Sequence, residues 1–240
     1  MYLYSFDRFF GFDKVCILAE SDTKKKVKTG DLLIFGNQYF LALWETVVFP
    51  EQYQQLTSVK AELVYKQFLS LPALKLLHWM VETHYTTYKS VIRLFFSPDI
   101  EKLLQRENKL IKSVKSKVHN VESLWKFSLP SEWQTLIVFP DLRTMANSNI
   151  PEDWNIITLL SSNTQNQKDV HRWEIKKSLK SVIVCTYAEI FQDFHDLKKI
   201  IFVDPHKWYY AAQQDPRYKV GEVIEEMKKL YETEVEIMGV

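Results

Sequence analysis

The sequence predicts an α/β protein in two parts: a small β-rich N-terminal domain with helices, then a parallel sheet with helices. Three observations predict it. Residues 1–66 carry short apolar runs broken by turn residues, among them VCILA, LLIFG and YFLALWETVVF. From 70 to 120 the apolar residues fall instead at helical spacing. Residues 135–240 then hold TLIVF, IITLL, SVIVCT, KIIFVD and EVEIMG, with helical patterns at 165–179 and 218–232. Continuously apolar strands that alternate with helices are covered on both faces, as parallel sheets are.

In the first part, DTKKKVKTGD (22–31) ends in a Thr-Gly-Asp turn signal. LLIFG (32–36) and the run from Tyr39 then form a hairpin bent at Gly36. VKAELVY (59–65) closes a small sheet or barrel. Ser70 and Pro72 start a helix whose apolar face is Leu74, Leu77, Val81 and Tyr85. Thr86-Thr87 interrupts it, and SVIRLFF (90–96) reads as a second helix. The third, 97–120, has Ser97 as a cap, Pro98 at its first position, and Asp99 and Glu101 at the end where the helix dipole favours acids. Its C-terminal half is crowded by Lys109, Lys112, Lys115 and Lys117. These four are either a solvated face that complements the dipole or a stripe touching nucleic-acid phosphates. The expected division is 1–98 as first domain, 99–133 as helical linker and 134–240 as second domain. In the second, strand ends carry Asp141 and Asp204 to one edge of the sheet, where ligands bind in such folds.

Composition narrows the function classes. The chain has 240 residues, 46% of them hydrophobic, enough for a sizeable core. No run reaches the roughly 18–20 apolar residues of a membrane span, and MYLYSFDRFF lacks the apolar stretch of a secretory signal. A cytoplasmic protein with no membrane partner is expected. Cys16 and Cys185 lie in apolar runs and read as buried thiols in a reducing compartment. Neither has a cysteine or histidine at metal-ligand spacing, so no zinc site or other cofactor is expected. Residues 1–130 hold 18 Lys and Arg against 13 Asp and Glu, while 131–240 hold 13 against 17. A basic first half suits a polyanionic partner.

Only five glycines occur: Gly11, Gly30, Gly36, Gly221 and Gly239. A phosphate loop needs glycines so that backbone N–H groups can wrap the phosphates, followed by a Lys. No such loop can be written from these five. IIFVDPHKW (200–208) is an apolar strand ending in Asp204, the position that holds Mg²⁺ in helicase-type motors. Pro205 follows where a motor needs a Glu to orient water, and then His206. A strand end capped by Asp and stopped by Pro is the favoured reading. In QQDPRYKVGEV (213–223), Arg217 and Tyr218 either contact a phosphate and a base or dock the helix on the sheet.

Taken in order, these segments resemble primosomal protein N′, the replication-restart helicase family PriA. GFDKVCIL (11–18) and VKTGDLLIFG (27–36) are similar to that family's Phe-Asp-Tyr turn and its strand ending Pro-Phe-Gly. LLHWMVETHYTTYKSVIRLFFSP (76–98) is similar to the helical segment that follows. LIVFPDLRTM (136–145) resembles the strand after the first motor helix, and SVIVCTYAEIF through IIFVDPHKW to DPRYKVGEV resembles the later motor motifs. The matches cover 1–98 and 134–240, with 99–133 standing where the family has a winged-helix domain.

The resemblance implies a truncated, degenerate member: a 3′-end-binding domain followed by a degenerate, RecA-like helicase lobe. By resemblance, Phe12, Asp13 and Gly36 form a pocket for the terminal nucleotide. Asp204, His206 and Arg217 are vestiges of the motor motifs. The expected protein is not an enzyme, and its partners are fork or 3′-ended DNA and other replication or primosome proteins. Two alternatives stand beside it: a scaffold subunit of a replication assembly, and an ATPase completed by another chain.

Overall fold

A computed structural model describes residues 1–6, 15–18, 26–44, 57–97, 99–113, 133–148, 150, 155–207, 210–212 and 215–239, with backbone only for 108, 109 and 111–113. The protein is mixed α/β and divides into two compact units, Met1–Arg93 and Leu94–Val240.

The first unit is a six-stranded sheet: β1 (Tyr2–Ser5), β2 (Val15–Leu18), β3 (Leu32–Phe35), β4 (Gln38–Trp44), β5 (Thr57–Val59) and β6 (Glu62–Tyr65), in the order β5-β2-β1-β4-β3-β6. β5 and β6 hold opposite edges, yet only Lys60 and Ala61 separate them. One bent segment therefore pairs with β2 and then with β3, and the sheet curls into a barrel. Ala61 at the bend is small enough to enter the core formed by Leu3, Cys16, Val27, Leu33, Phe40 and Ala42.

The Thr-Gly-Asp turn locks the start of β3. Asp31 is buried, and its carboxylate accepts the N–H groups of Lys28 and Gln67, each at 2.8 Å. Gly30 has φ +88, and a Cβ there would stand 2.3 Å from the Leu69 carbonyl oxygen.

Helix α1 (Leu71–Thr83) is capped by Ser70, whose hydroxyl accepts the Ala73 N–H. It buries Ala73, Leu74, Leu76, Leu77 and Met80. The expected face fails at Tyr85, which lies past the helix end with φ +48 and is 96% exposed. Helix α2 (Tyr88–Phe95) begins after Thr87, whose hydroxyl accepts the Ser90 N–H, so the threonine pair ends one helix and caps the next.

The second unit is an all-parallel sheet: β7 (Gln134–Phe139), β8 (Ile156–Leu159), β9 (Val182–Thr186), β10 (Leu197–Val203) and β11 (Glu234–Met238), in the order β11-β10-β7-β9-β8. Every residue of β7 and β9 is buried, so the centre of the sheet is covered on both faces. Around it are α3 (Ile100–Ser113), α4 (Leu142–Ala146), α5 (Gln165–Lys176) and α6 (Val220–Tyr231). Gln134, at the start of β7, is fully buried. Its amide donates to the Ile175 and Lys180 carbonyls and accepts the N–H groups of His195 and Asp196.

Helix α3 differs from the expected linker. It packs on α5, with the Trp173 indole donating to the Leu103 carbonyl at 2.7 Å and Lys177 paired with Glu107 at 2.7 Å. The start of the 99–133 stretch is thus part of the second unit, while 114–132 lie outside the described residues. Both cysteines are buried free thiols. Among the described residues no helix is long and apolar enough to cross a membrane.

Among the described residues of the first unit, His78 on α1 is the titratable group that packing clearly shifts. It meets the edge of the Trp44 ring at 4.4 Å, and its Nδ1 lies 3.1 Å from the Tyr88 hydroxyl. Burial lowers its pKa from 6.5 to about 4, against the opposing effect of its hydrogen bond with Leu43. Between those values the unfolded chain binds a proton that the folded one refuses. The His78 contribution to stability is therefore complete above pH 6.5, declines as pH falls, and stops changing below about 4. Urea midpoints at about pH 7.5 and about pH 4.5 should differ more for the natural chain than for His78→Gln. An equal difference in both would remove His78 as the cause.

Candidate functional site

Two sheet ends carry the residues of interest. The first is the rim of the barrel. β1 runs to Ser5, and β2 begins at Val15 opposite Tyr4. Ser5 also lies opposite Phe40 of β4, and the Phe6 N–H donates to Tyr39. The β1–β2 connection and the β3–β4 turn at Gly36 and Asn37 therefore leave the same end of the sheet. Since β4 alone separates β1 from β3, their ends lie about 10 Å apart, two strand spacings.

Phe12 and Asp13 belong to that connection and lie outside the described residues. Gly36 has φ +58, and a Cβ built there meets nothing within 4 Å among the described residues. Sequence reasoning missed Lys60. The β3–β6 register pairs Leu33 with Leu63 and Ile34 with Glu62. The pairing ends there, and Lys60, which is exposed, lies two residues earlier, in the bend after Val59, which pairs with Leu18 of β2. Only strand pairing reveals this; nothing in the local sequence marks it.

Of the lysine stripe, Lys109 and Lys112 lie on α3, with side chains outside the described residues. Lys115 and Lys117 lie wholly outside them. Arg106, on the same helix, donates to Asn166 at 2.6 Å.

The second place is the carboxyl edge of the parallel sheet. From β7 the chain passes to β8 on one side, and from β10 to β11 on the other, so the topological switch falls between β7 and β10. Ligands of such sheets bind in the crevice at that point. Here Tyr210 occupies it. Its hydroxyl donates to the Val203 carbonyl at 2.6 Å and the Val138 carbonyl at 3.1 Å, its ring meets Phe202 at 4.7 Å, and it is 5% exposed.

Asp141 and Asp204 stand at the two strand ends beside it. Asp141 caps α4, accepting the Thr144 N–H at 2.8 Å and the Thr144 hydroxyl at 2.9 Å. Asp204 takes φ +46, donates its N–H to Met238 and accepts the Lys207 N–H, turning the chain out of β10. His206 and Arg217 are exposed. Tyr218 is buried against the edge of Phe191 at 5.1 Å, which places it in the packing. Burial pushes the Tyr218 hydroxyl and the Cys185 thiol well above their ordinary ranges, so neither offers a nucleophile. Among the described residues no three His, Cys, Asp or Glu side chains converge as a metal site would require.

A charged network also lies along α5. Lys168 pairs with Glu189 at 2.7 Å, Arg172 with Asp169 at 3.2 Å, and Lys176 with Asp193. The opposite charges balance, and the helix start is closed by a capping box of Thr164 and Gln167. This network fastens α5 to the segment after β9. The chain matches no family model and no curated protein.

Two substitution experiments follow. Gly36→Ala should cost about 1–2 kcal/mol, the strain of a left-handed alanine. Gly30→Ala adds a clash with the Leu69 carbonyl and should cost clearly more. Urea unfolding of both variants orders them, and the reverse order would contradict the geometry. Tyr210→Phe keeps the ring but strips the donor from two buried carbonyls, so it should lose about 1–3 kcal/mol. A loss of only a few tenths would mean that those carbonyls are satisfied without the hydroxyl.

Proposed function

We propose that this chain is a non-catalytic, PriA-like DNA-binding protein of the cytoplasm that recognises 3′ ends or replication forks in replication restart. The observation that carries the reading is the juxtaposition at the barrel rim. The connection bearing Phe12 and Asp13 and the turn at Gly36 leave one end of one sheet, and the exposed Lys60 lies in the bend two residues before Glu62, which pairs with Ile34 near that turn. Each residue type there suits a terminal nucleotide. An aspartate accepts the 3′-hydroxyl proton and repels a 3′-phosphate. A phenylalanine walls the base. A glycine lets the sugar-phosphate approach closely, and a lysine balances a phosphate charge. Lys109, Lys112, Lys115 and Lys117 would add affinity that is independent of sequence.

The second unit supports a role without ATP. Its sequence has no phosphate loop, Pro205 follows the strand-end Asp204, and Tyr210 fills the crevice at the switch point. Other replication or primosome proteins are the proposed protein partners. A scaffold role is the second reading. It is favoured by Ile237, 67% exposed on β11, a strand that pairs only with β10 among the described residues.

The decisive variant is Asp13→Ala, measured by fluorescence anisotropy on fork DNA ending in a 3′-hydroxyl or a 3′-phosphate. The natural chain should prefer the hydroxyl by roughly ten- to a hundredfold, the worth of a hydrogen bond to a charged group. The variant should lose that preference and keep its general, salt-sensitive binding. Equal affinity of the natural chain for both ends would reject the pocket. A preference surviving the substitution would place it elsewhere.

A further inference from the structure

We infer that the open edge of β11 docks a basic, extended segment of another protein, which adds to the parallel sheet as a further strand. The inference goes beyond the 3′-end reading and stands or falls without it. It gives the scaffold reading a surface.

Among the described residues β11 pairs only with β10. The pairing runs without a bulge from Lys199 opposite Glu234 to Val203 opposite Met238. The outer row of backbone groups is therefore regular, as strand addition requires. The opposite edge of the sheet differs. Of β8 only Thr158 is exposed, and Ile157 and Leu159 are buried. β11 leaves Ile237 uncovered, one strand outward from Phe202. The Lys, Pro or bulge that often guards an edge does not occur in it.

Charge selects the occupant. Met238 packs with the cluster of Ile201 and Val203, so by alternation Glu234 and Glu236 share that face of the sheet. Val235 and Ile237 turn to the other face. Lys199 holds Glu236 at 2.6 Å. Glu234 is exposed and has no ion pair among the described residues. Residues 220–239 hold six Glu against two Lys, while 131–219 hold eleven acids against eleven Lys and Arg. The whole acidic excess of the second part thus belongs to the segment of α6 and β11. Like charges directly opposite each other destabilise a strand pair. Full antiparallel overlap of β11 with a second copy would centre on Glu236 and set it opposite its own counterpart. The glutamates therefore discourage self-pairing and favour a strand with Lys or Arg on that face. The other face asks for Val, Ile or Leu beside Ile237. The partner's chemistry is an alternation of basic and apolar residues.

The probe is the synthetic peptide KVKIKVK, which reads the same in both directions and suits parallel and antiparallel addition alike. Its block isomer KKKKIVV has the same composition without the alternation. Fluorescence anisotropy with the full chain should show the alternating peptide bound more tightly, and hydrogen exchange of the β11 amides should slow when it binds. Glu234→Lys should weaken that peptide about two- to thirtyfold, an attraction lost and a repulsion gained. Ile237→Thr keeps the β-branched shape and should weaken it by losing apolar contact. Circular dichroism melting checks that both variants fold. Equal binding of the two peptides overturns the inference in favour of charge alone. Unchanged affinity in Glu234→Lys, or unaltered exchange at β11, overturns it as well. A dimer in sedimentation that Ile237→Lys dissolves assigns the edge to a second copy and also overturns it. Fork-DNA binding by the same preparations reports separately on the 3′-end reading, which none of these outcomes touches.

Discussion

The ends of a central parallel strand expose backbone groups that must find partners once they are buried, and in the second unit two side chains meet that need. Gln134 satisfies four backbone groups at the entry of β7. Tyr210 joins the exits of β7 and β10 through one hydroxyl. The same tyrosine that closes the sheet also occupies the place where a ligand would bind. Stability and ligand binding compete for that crevice, and here packing has it. Of the acidic strand ends, Asp141 is committed to the cap of α4, and the backbone of Asp204 turns the chain out of β10.

The barrel selects its two turn glycines for different reasons. Gly30 is pressed against the Leu69 carbonyl and sits beside Asp31, which ties the chain before β3 to the chain after β6. Gly36 meets nothing within 4 Å among the described residues, although its backbone is also left-handed. There conformation alone, not a clash with a described neighbour, selects glycine. At the closure Ala61 is small enough to enter the core, while its neighbour Lys60 is exposed.

Much of the fold was legible in the sequence because burial on both faces writes itself as continuous apolar runs. All five strands of the parallel sheet lie within the runs expected or within two residues of them. The Thr-Gly-Asp turn, the hairpin at Gly36 and the closing segment at 59–65 were legible from turn chemistry and spacing. Tyr85 was misread because periodicity does not announce where a helix stops, and α1 ends before reaching it. α4 is five residues long, too short for a period to show. α3 read as a linker because its lysines hid the contacts of Leu103 and Glu107 with α5. The bend at Lys60 and the place of Tyr210 depend on strand pairing or on distant packing, which no local pattern encodes. Phe12 and Asp13 came from resemblance alone and lie outside the described residues.

On the proposed reading, charge and shape act on different parts of recognition. Residues 1–130 carry an excess of five positive charges and 131–240 an excess of four negative ones. Coulomb attraction of that kind acts across the roughly 8–10 Å of a Debye length. It draws a polyanion to the first part of the chain and discourages it from the second, without choosing an end. Choosing an end requires contacts that only a terminus can make, and the proposal puts those contacts at the barrel rim. On that reading a lobe proposed to lack ATP chemistry would still have a use: its surplus of acids would keep phosphates away while the rim held the end.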